Sequence, residues 1–179
     1  IDLVMKLKGL TFPEAVTNLG NRYGIRVENI NESNERKEAR AKEKEKIITL
    51  KKISEAVAVS YSHFLATSQQ SEVARKYLHN RGIAQSSIEK FRIGYAPAQW
   101  QFIYNSVKEI LKNSQIELSD AELQSSLIEL GVIKLKSNAN DENSSDIESS
   151  HYDVFRSRVI VPISKSDGSI IAFGGRILE

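Results

Sequence analysis

The sequence predicts an α+β fold that is mainly helical in its N-terminal and middle parts and ends in a β-hairpin belonging to a small mixed sheet. Segments with capping residues and with apolar residues every three or four positions follow one another as far as Val132. Two runs rich in β-branched residues then follow, separated by a turn sequence. With 179 residues, 40% of them hydrophobic, the chain can bury a core without disulfides or a metal.

The composition excludes several kinds of site. The chain has no cysteine, which rules out a disulfide framework, a thiolate nucleophile and a Cys-ligated zinc ion. His63, His79 and His151 are scattered, so we expect surface or partly buried side chains and not metal ligands. A net charge of +2 does not by itself indicate nucleic acid.

No segment has the pattern of a membrane span or a signal peptide, so we expect an intracellular protein that does not bind membranes. The chain starts within a helical pattern and stops directly after a strand-like run. We therefore expect it to be a piece of a longer protein.

Two short helices are predicted at the N-terminal end. Thr11 and Glu14 have the spacing of a capping box, and Pro13 stands in the first turn. Gly9 and Gly24 are expected to end the two helices in the left-handed conformation. The second helix should present one apolar face, made of Phe12, Val16, Leu19 and Tyr23. This pair of helices is too small to fold independently.

A linker is predicted over residues 29–46, ahead of a long helix. Residues 29–34 are polar, and acidic and basic side chains are interleaved from Glu35 to Lys46. The charged stretch is either a solvated helix or a flexible connector, and the mixed signs favour these alternatives over a nucleic-acid arm. From Ile47 to Phe64, apolar residues recur every three or four positions, which predicts one buried helical stripe.

Helices are predicted at four places in the middle of the chain, with a brief extended piece at residues 92–95. They lie at residues 71–80, around Ile88, at residues 99–112 and at residues 119–130. Ser119 and Glu122 have the spacing of a second capping box.

The character of the sequence changes towards its C-terminal end. Residues 137–150 are rich in Ser, Asn, Asp and Glu, which predicts a disordered surface loop. Two apolar runs at residues 159–163 and 170–173 flank Asp167-Gly168, which predicts a β-hairpin. Their nearly continuous apolarity indicates strands covered on both faces, and Pro162 indicates that one strand end lies at an edge or bulge.

Arg156, Arg158 and Arg176 are the candidate binding residues. The period of two along a strand would put Arg156 and Arg158 on one face, and Arg176 follows the second strand of the same hairpin. Three guanidinium groups on one surface would suit successive phosphates. Spacing alone leaves it equally open that these are solvated arginines, one of them paired with Asp153.

A looser basic group surrounds three aromatic residues. Its five cations surround Tyr77, Phe91 and Tyr95, and they are Arg75, Lys76, Arg81, Lys90 and Arg92. The aromatic rings could stack bases of a single strand, but the commoner arrangement, core aromatics with cations on the outer face, is the one we expect. Trp100 is expected to be a packing anchor.

Four motifs, in one order, resemble bacterial DnaG-type DNA primases. They are ARKYLHNRG at residues 74–82, KFRIGYAP at 90–97, YDVFRSRVIVPI at 152–163 and FGGR at 173–176. Residues 7–16, LKGLTFPEAV, also look like the exit of that family's zinc-binding domain. Each motif alone is modest, and the four in register make the resemblance specific.

The resemblance implies a parent enzyme that makes RNA primers on single-stranded DNA template from ribonucleoside triphosphates, beside the replicative helicase. Residues 1–28 would end a zinc-binding domain whose cysteine ligands are absent, residues 29–46 would be the linker, and residues 47–179 the N-terminal subdomain of the polymerase core. The resemblance assigns nucleic-acid or nucleotide binding to Arg156, Arg158 and Arg176, and Arg81, Lys90 and Arg92 are a secondary group.

The resemblance also implies which groups this chain lacks. Mg²⁺ or Mn²⁺ would be held by acids of a following subdomain, and Zn²⁺ by the preceding domain, so we expect no cofactor and no catalytic residue here. Phosphoryl transfer needs those ions, so the chain alone should be inactive. The expected location is the bacterial cytoplasm at the replication machinery, or an organelle of bacterial descent.

Residues 137–150 depart from the family pattern, because this connection is usually shorter, and they add four acids beside the proposed basic surface. The alternative function is a non-catalytic helical module that docks another protein through the helix at residues 35–65.

Overall fold

The computed structural model describes residues 1–25, 27, 34–136 and 151–178. The chain divides into two compact units, Ile1–Lys44 and Glu45–Glu179. Its elements are seven helices and five strands within the described residues, which confirms the α+β prediction. The predicted linker residues 29–33 and the predicted loop at residues 137–150 lie outside the described residues.

The first unit contains helices α1 (Asp2–Lys8) and α2 (Phe12–Tyr23). Gly9 and Gly24 end them with φ of 64° and 68°, and the Glu14 carboxylate accepts hydrogen bonds from the Thr11 N–H and hydroxyl at 2.8 Å each. The predicted capping box and glycine stops are therefore confirmed. The predicted apolar face is largely exposed, with Phe12 at 57% and Tyr23 at 69%, because the buried residues of α2 are Ala15 and Gly20.

Helix α3 spans Asn34–Thr67, so the charged stretch is helical, one of the two predicted alternatives. Its burial starts at Ile53 and continues through Val57, Tyr61 and Leu65. Ile47, expected to begin the buried stripe, is 47% exposed, since the hydrophobic core begins one to two turns further along the helix.

The middle of the chain folds as predicted, with small shifts of the helix ends. A 3₁₀ turn (Gln69–Ser71) precedes α4 (Glu72–Asn80), and α5 spans Gln85–Lys90. Helix α6 spans Phe102–Asn113, and α7 spans Asp120–Glu129. The second capping box is present, because the Glu122 carboxylate accepts from the Ser119 N–H at 2.9 Å and the Ser119 hydroxyl accepts from the Glu122 N–H at 3.3 Å.

Two small sheets complete the fold, and every strand pair among the described residues is antiparallel, without the parallel pair that a mixed sheet would add. The larger sheet has the order β1 (Gly94–Ala96), β4 (Arg158–Ser164), β5 (Ile170–Ile177). The hairpin β4–β5 was predicted, and the pairing of the extended piece β1 with β4 was not. The smaller sheet pairs β2 (Ile133–Leu135) with β3 (His151–Asp153).

Less of the hairpin surface is buried than its apolar sequence predicts. Val161, Ile163 and Ile171 are 40% to 50% exposed. Strand β1 pairs only with Arg158–Ile160, so Pro162 lies beyond the end of its neighbour and one residue before the register shift at Ile163/Ser164. The absence of an N–H at Pro162 therefore disrupts no pairing with β1.

Strand β1 lies directly against helix α3. A Cβ atom added at Gly94 would lie 2.5 Å from both the carbonyl carbon and the Cβ of Tyr61. Glycine is therefore required where the two backbones approach each other. This contact positions β1, and the candidate site begins after the last residue of this strand.

Among the described residues, no helix is both long enough and apolar enough to cross a lipid bilayer.

Candidate nucleic-acid interface

Two connecting segments meet at one end of the larger sheet. The first, residues 97–101, joins β1 to α6, and the second, residues 154–157, joins β3 to β4. The Asp153 N–H donates to the Trp100 carbonyl at 2.7 Å, and the Ser157 N–H donates to the Pro97 carbonyl at 3.3 Å. The chain turns back into β4 at Ser157, which has a φ of 49°. We call these two segments together the sheet corner.

A buried carboxylate anchors the sheet corner. Asp153 is 1% exposed, and its Oδ2 accepts from the N–H of Ile103 at 3.0 Å, with a further hydrogen bond from the N–H of Phe102. These are the first two residues of α6, whose N–H groups lack partners inside the helix. Asp153 therefore caps α6 from a distant strand, where the helix dipole favours a negative charge.

Burial raises the pKa of the Asp153 carboxyl to about 7, and the N–H groups of Ile103 and Phe102 and the Arg156 charge oppose this rise. Burial, with a smaller contribution from Asp153, also raises the pKa of Tyr61. Among the described residues, Asp153 Oδ1 and the Tyr61 hydroxyl have no hydrogen-bond partner. Desolvation is thus the largest of the effects that set the pKa of this carboxyl.

Arg156 is held by aromatic rings and by a carbonyl. Its guanidinium carbon lies 4.1 Å from the centroid of the Trp100 ring and 5.7 Å from that of Tyr152. One guanidinium nitrogen donates to the Asp153 carbonyl. Cation–π stacking and this hydrogen bond fix the position of the charge.

Arg158 begins β4 and lies over the backbone of β5. A Cβ atom added at Gly175 would lie 2.6 Å from the Phe155 ring and 3.3 Å from Arg158 Cδ. The missing side chain of Gly175 thus provides the space for the Phe155 ring and the Arg158 stem. Phe155 also packs against the hydrophobic core of the second unit, which includes Tyr61 and Phe173, and this contact fixes the position of its ring.

The prediction that the three arginines share one face is wrong. In an antiparallel pair, partners lie on one face and successive residues on opposite faces. Arg176 pairs with Val159, and Arg158 pairs with Ile177, so Arg158 and Arg176 lie on opposite faces of the sheet. Arg156 lies outside β4, and the positive φ of Ser157 interrupts the period of two on which the prediction rested. The three backbones still lie at one end of the sheet.

Each of the secondary basic residues contacts a different side chain of this chain. Arg92, with a φ of 52°, forms an ion pair with Glu55 at 2.5 Å. Arg81 lies over the Tyr77 ring at 5.2 Å, and Lys90 over the Phe91 ring at 5.8 Å. Tyr95 is buried, as expected for a core aromatic, whereas Phe91 is 58% exposed.

Residues 60–179 match the family described as the DNA primase catalytic core, N-terminal domain. The chain belongs to this primase family. It is 32% identical over 179 residues to the DNA primase of Neisseria meningitidis serogroup A (strain DSM 15465 / Z2491), covering 100% of this chain and 26% of that protein. The chain thus spans about a quarter of the length of the curated relatives that it matches.

Solved structures of primases have a similar fold. The DnaG primase catalytic domain bound to ssDNA matches with a TM-score of 0.56 and 29% identity, over 75% of this chain and 37% of that one. The zinc-binding and RNA polymerase domains of the Aquifex aeolicus primase match with a TM-score of 0.51 and 21% identity, over 99% and 35%. The second likeness concerns the fold alone.

The described residues of this primase domain do not fit a metal ion. In the described part of the chain, no three histidine or carboxylate side chains are placed so that they could hold a metal ion, and the sequence has no cysteine. A divalent ion needs several oxygen or nitrogen ligands that converge. The carboxyl group of Asp153 instead accepts hydrogen bonds from backbone N–H groups.

Sequence reasoning missed three residues in the sheet corner or in the strand β3 that leads into it. Asp153 was considered only as a partner of an arginine, and Trp100 was expected to be a packing anchor, yet Trp100 is 61% exposed. His151 is fully buried, with its ring 4.5 Å from that of Tyr104, where a surface or partly buried histidine was expected. The only indication of their burial in the sequence is that His151 and Asp153 stand among the apolar and aromatic residues of the segment 151–155.

Replacing each of the two adjacent glycines of β5 with alanine should change the stability of the fold by different amounts. Gly175→Ala should destabilise the fold by about 1 to 3 kcal/mol, because the new methyl group would displace the Phe155 ring from the core. Gly174→Ala is the control, since its Cβ would meet only the Val161 carbonyl at 3.7 Å. Urea unfolding of the three proteins measures the difference, and equal stability of the two variants would contradict the packing described.

Asp153 should make stability depend on pH near neutrality. Its folded-state pKa of about 7 lies above the ordinary value, so the folded chain keeps a proton that the unfolded chain has lost between about pH 4 and about pH 7. The free energy of unfolding should therefore fall as pH rises through this window and level off above it. Asp153→Asn should remove this slope, because an amide does not titrate.

Asp120 is the matched control for this measurement. A hydrogen bond from Lys108 lowers the pKa of the Asp120 carboxyl, so Asp120→Asn changes the pH dependence only in more acidic solution. Denaturant unfolding at a series of pH values compares both variants with the natural chain. A wild-type slope that survives in Asp153→Asn would show that another group causes it.

Proposed function

We propose that this chain is the N-terminal part of the catalytic core of a DNA primase, and that its sheet corner holds the phosphates of the single-stranded DNA template. The parent enzyme joins ribonucleotides into RNA primers on that template. The observation that supports the proposal most is the family match over residues 60–179, which includes all three candidate arginines.

Arg156, Arg158 and Arg176 are the proposed phosphate contacts. Strand β4 begins at Arg158 and β5 ends at Ile177, so the three residues lie at the same end of the hairpin. A single strand that crosses this end can be reached by arginines from both faces of the sheet. In the described part of the chain, neither Arg158 nor Arg176 takes part in an ion pair. Their charges are therefore available to a polyanion.

Arg81, Lys90 and Arg92 are not included in this proposed surface. Arg92 is neutralised by Glu55, and the other two cations lie over aromatic rings of their own helices or helix ends. These intramolecular contacts would have to be given up for binding.

The proposed protein has three parts within this chain. Residues 1–28 end a zinc-binding domain, residues 29–46 link it to the core, and residues 47–179 form the first subdomain of the polymerase. Zinc is held by the first domain of the parent enzyme, and Mg²⁺ or Mn²⁺ by acids of the subdomain that follows. Ribonucleoside triphosphates and the replicative helicase are further partners of the parent enzyme in the bacterial cytoplasm.

Salt titration tests the phosphate contacts. Each phosphate contact to a single strand contributes about 0.7 to the slope of log affinity against log salt concentration. Replacing Arg156, Arg158 and Arg176 together with Gln should lower affinity for single-stranded DNA of any sequence and flatten the slope by about 2. Fluorescence anisotropy of an end-labelled oligonucleotide measures both.

Lys112→Gln is the control, since Lys112 is an exposed cation in the last turn of α6, away from the sheet corner. It should leave the affinity and the slope nearly unchanged. An unchanged slope in the triple variant would contradict the arginine surface. Absence of any binding to single-stranded DNA would favour a helical docking module, the competing function.

A further inference from the structure

A groove in the second unit runs along helix α3, and helices α4 and α5 form its other walls. Its volume is about 610 Å³, within the range of about 300 to 1,000 Å³ that is usual for small-molecule sites. None of its lining residues belongs to the sheet corner. The lining residues that matter most are Val59 and Ala66 of α3, Arg75 of α4, Ile88 and Glu89 of α5, and Arg92.

Arg75 is held in the groove by the C-terminal end of α3. Its Nη1 donates to the Leu65 carbonyl at 2.6 Å and to the Ser68 carbonyl at 2.9 Å. A guanidinium group has five N–H donors, and these two bonds use only those of Nη1. Within the described part of the chain, no ion pair involves Arg75. Its position is therefore fixed, while its charge and the N–H groups of Nη2 and Nε can serve a ligand.

Arg92 marks the other end of the groove. It forms an ion pair with Glu55 at 2.5 Å, and Glu55 precedes Leu65 by about 15 Å along the axis of α3, at a rise of 1.5 Å per residue. The acid of the lining, Glu89, is close to Arg92, because the Arg92 N–H donates to the Glu89 carbonyl at 3.0 Å. The Arg92 end thus carries charges of both signs, and the Arg75 end carries a cation without a paired acid.

The surface between these two ends is apolar. Val59 and Ala66 are exposed and lie two turns apart on α3. Ile88 faces them from α5, and Leu65 and Ile93 are buried beneath at 3% and 8% exposure. An apolar molecule would remove this surface from water, which is favourable in proportion to the area covered.

We propose that the groove binds a small amphipathic acid, with its carboxylate at Arg75 and its apolar body along α3. A purely inorganic anion would gain nothing from the apolar stretch, and a neutral hydrocarbon would gain nothing from the guanidinium. A carboxylate can accept two parallel N–H bonds from one guanidinium group. The inference does not rest on the proposed function, since it uses no residue of the sheet corner.

Three probes separate the contributions of charge and apolar surface. They are 4-phenylbutyrate, butyrate and 4-phenyl-1-butanol, each titrated into the ¹⁵N-labelled chain and followed by the backbone amide resonances of Val59, Ala66 and Ile88 and by the Arg75 Nε–H. We expect 4-phenylbutyrate to shift these resonances saturably, with a Kd in the low millimolar range for about twelve non-hydrogen atoms. The other two probes should bind at least tenfold more weakly.

Two valine variants test the place of binding without touching the core. Val59→Glu puts a carboxylate into the groove and should weaken 4-phenylbutyrate binding at least tenfold, because like charges repel. Val73→Glu is the matched control, since Val73 is 63% exposed on α4 and does not line the groove. It should leave the affinity unchanged. Equal loss in both variants would place the ligand elsewhere and overturn the site.

Arg75→Gln tests the anion contact. It should lower the affinity for 4-phenylbutyrate at least tenfold and leave the weak affinity for 4-phenyl-1-butanol unchanged, since a hydrogen bond to a charged group is lost only for the acid. If Arg75 only supported the end of α3, both probes would lose affinity equally.

Two further outcomes would overturn the proposal. Equal affinity of the natural chain for 4-phenylbutyrate and 4-phenyl-1-butanol would show that the groove does not select an acid. Absence of saturable shifts up to about 10 mM 4-phenylbutyrate would show that the groove is not a site for this class of ligand. The probe comparison and the valine pair decide the question even if Arg75→Gln fails to fold.

Discussion

The buried carboxylate of Asp153 is the interaction on which the sheet corner depends. The carboxylate caps α6, and the backbone of the same residue makes three further contacts, because its N–H donates to the Trp100 carbonyl, its carbonyl accepts from Arg156, and it pairs with Ile133 of β2. A cap of this kind contributes about 1 kcal/mol, and a carboxyl without these donors would be costly to bury. The buried residue Asp153 therefore positions both Trp100 and Arg156 at the surface of the sheet corner.

This anchoring explains how charge and exposed aromatic surface can be held close together. Arg156 stacks on Trp100, which reduces the conformational freedom of its charge, and the Arg158 stem and the Phe155 ring both lie beside Gly175. The small sheet provides the geometry, since β4 starts and β5 ends at the corner. Gly175 lets the Phe155 ring approach the strand closely. The two connecting segments of the sheet corner are therefore held to the sheet and to α6 by specific contacts, and binding groups are placed more accurately where their supports are fixed.

The features that could be predicted from the sequence were local ones. The capping boxes at Thr11 and Ser119 and the Asp167-Gly168 hairpin depend on residues within a few positions of one another, and all three are present. The pairings of β1 with β4 and of β2 with β3 join residues far apart in the chain, and short strands carry too little pattern to reveal them. The motifs shared with primases identified the family, which no local pattern could have done.

The geometry of the candidate site was harder to predict for two physical reasons. The period of two from Arg156 to Arg158 holds only in a continuous strand, and the left-handed Ser157 interrupts it. Register then separates Arg158 from Arg176, because Arg176 pairs with Val159. The burial of Asp153 could not be predicted because a lone acid is normally solvated, and its partners, the N–H groups of α6, are distant in sequence.

The backbone amide of Ile103 gives the most direct test of this account, because its N–H points at the Asp153 carboxylate. An NMR titration of the amide proton should show a midpoint equal to the Asp153 pKa of about 7, and the transition should vanish in Asp153→Asn. The same amide should exchange slowly with solvent. A midpoint near the ordinary aspartate pKa of about 4, or exchange as fast as in an open loop, would contradict the buried anchor.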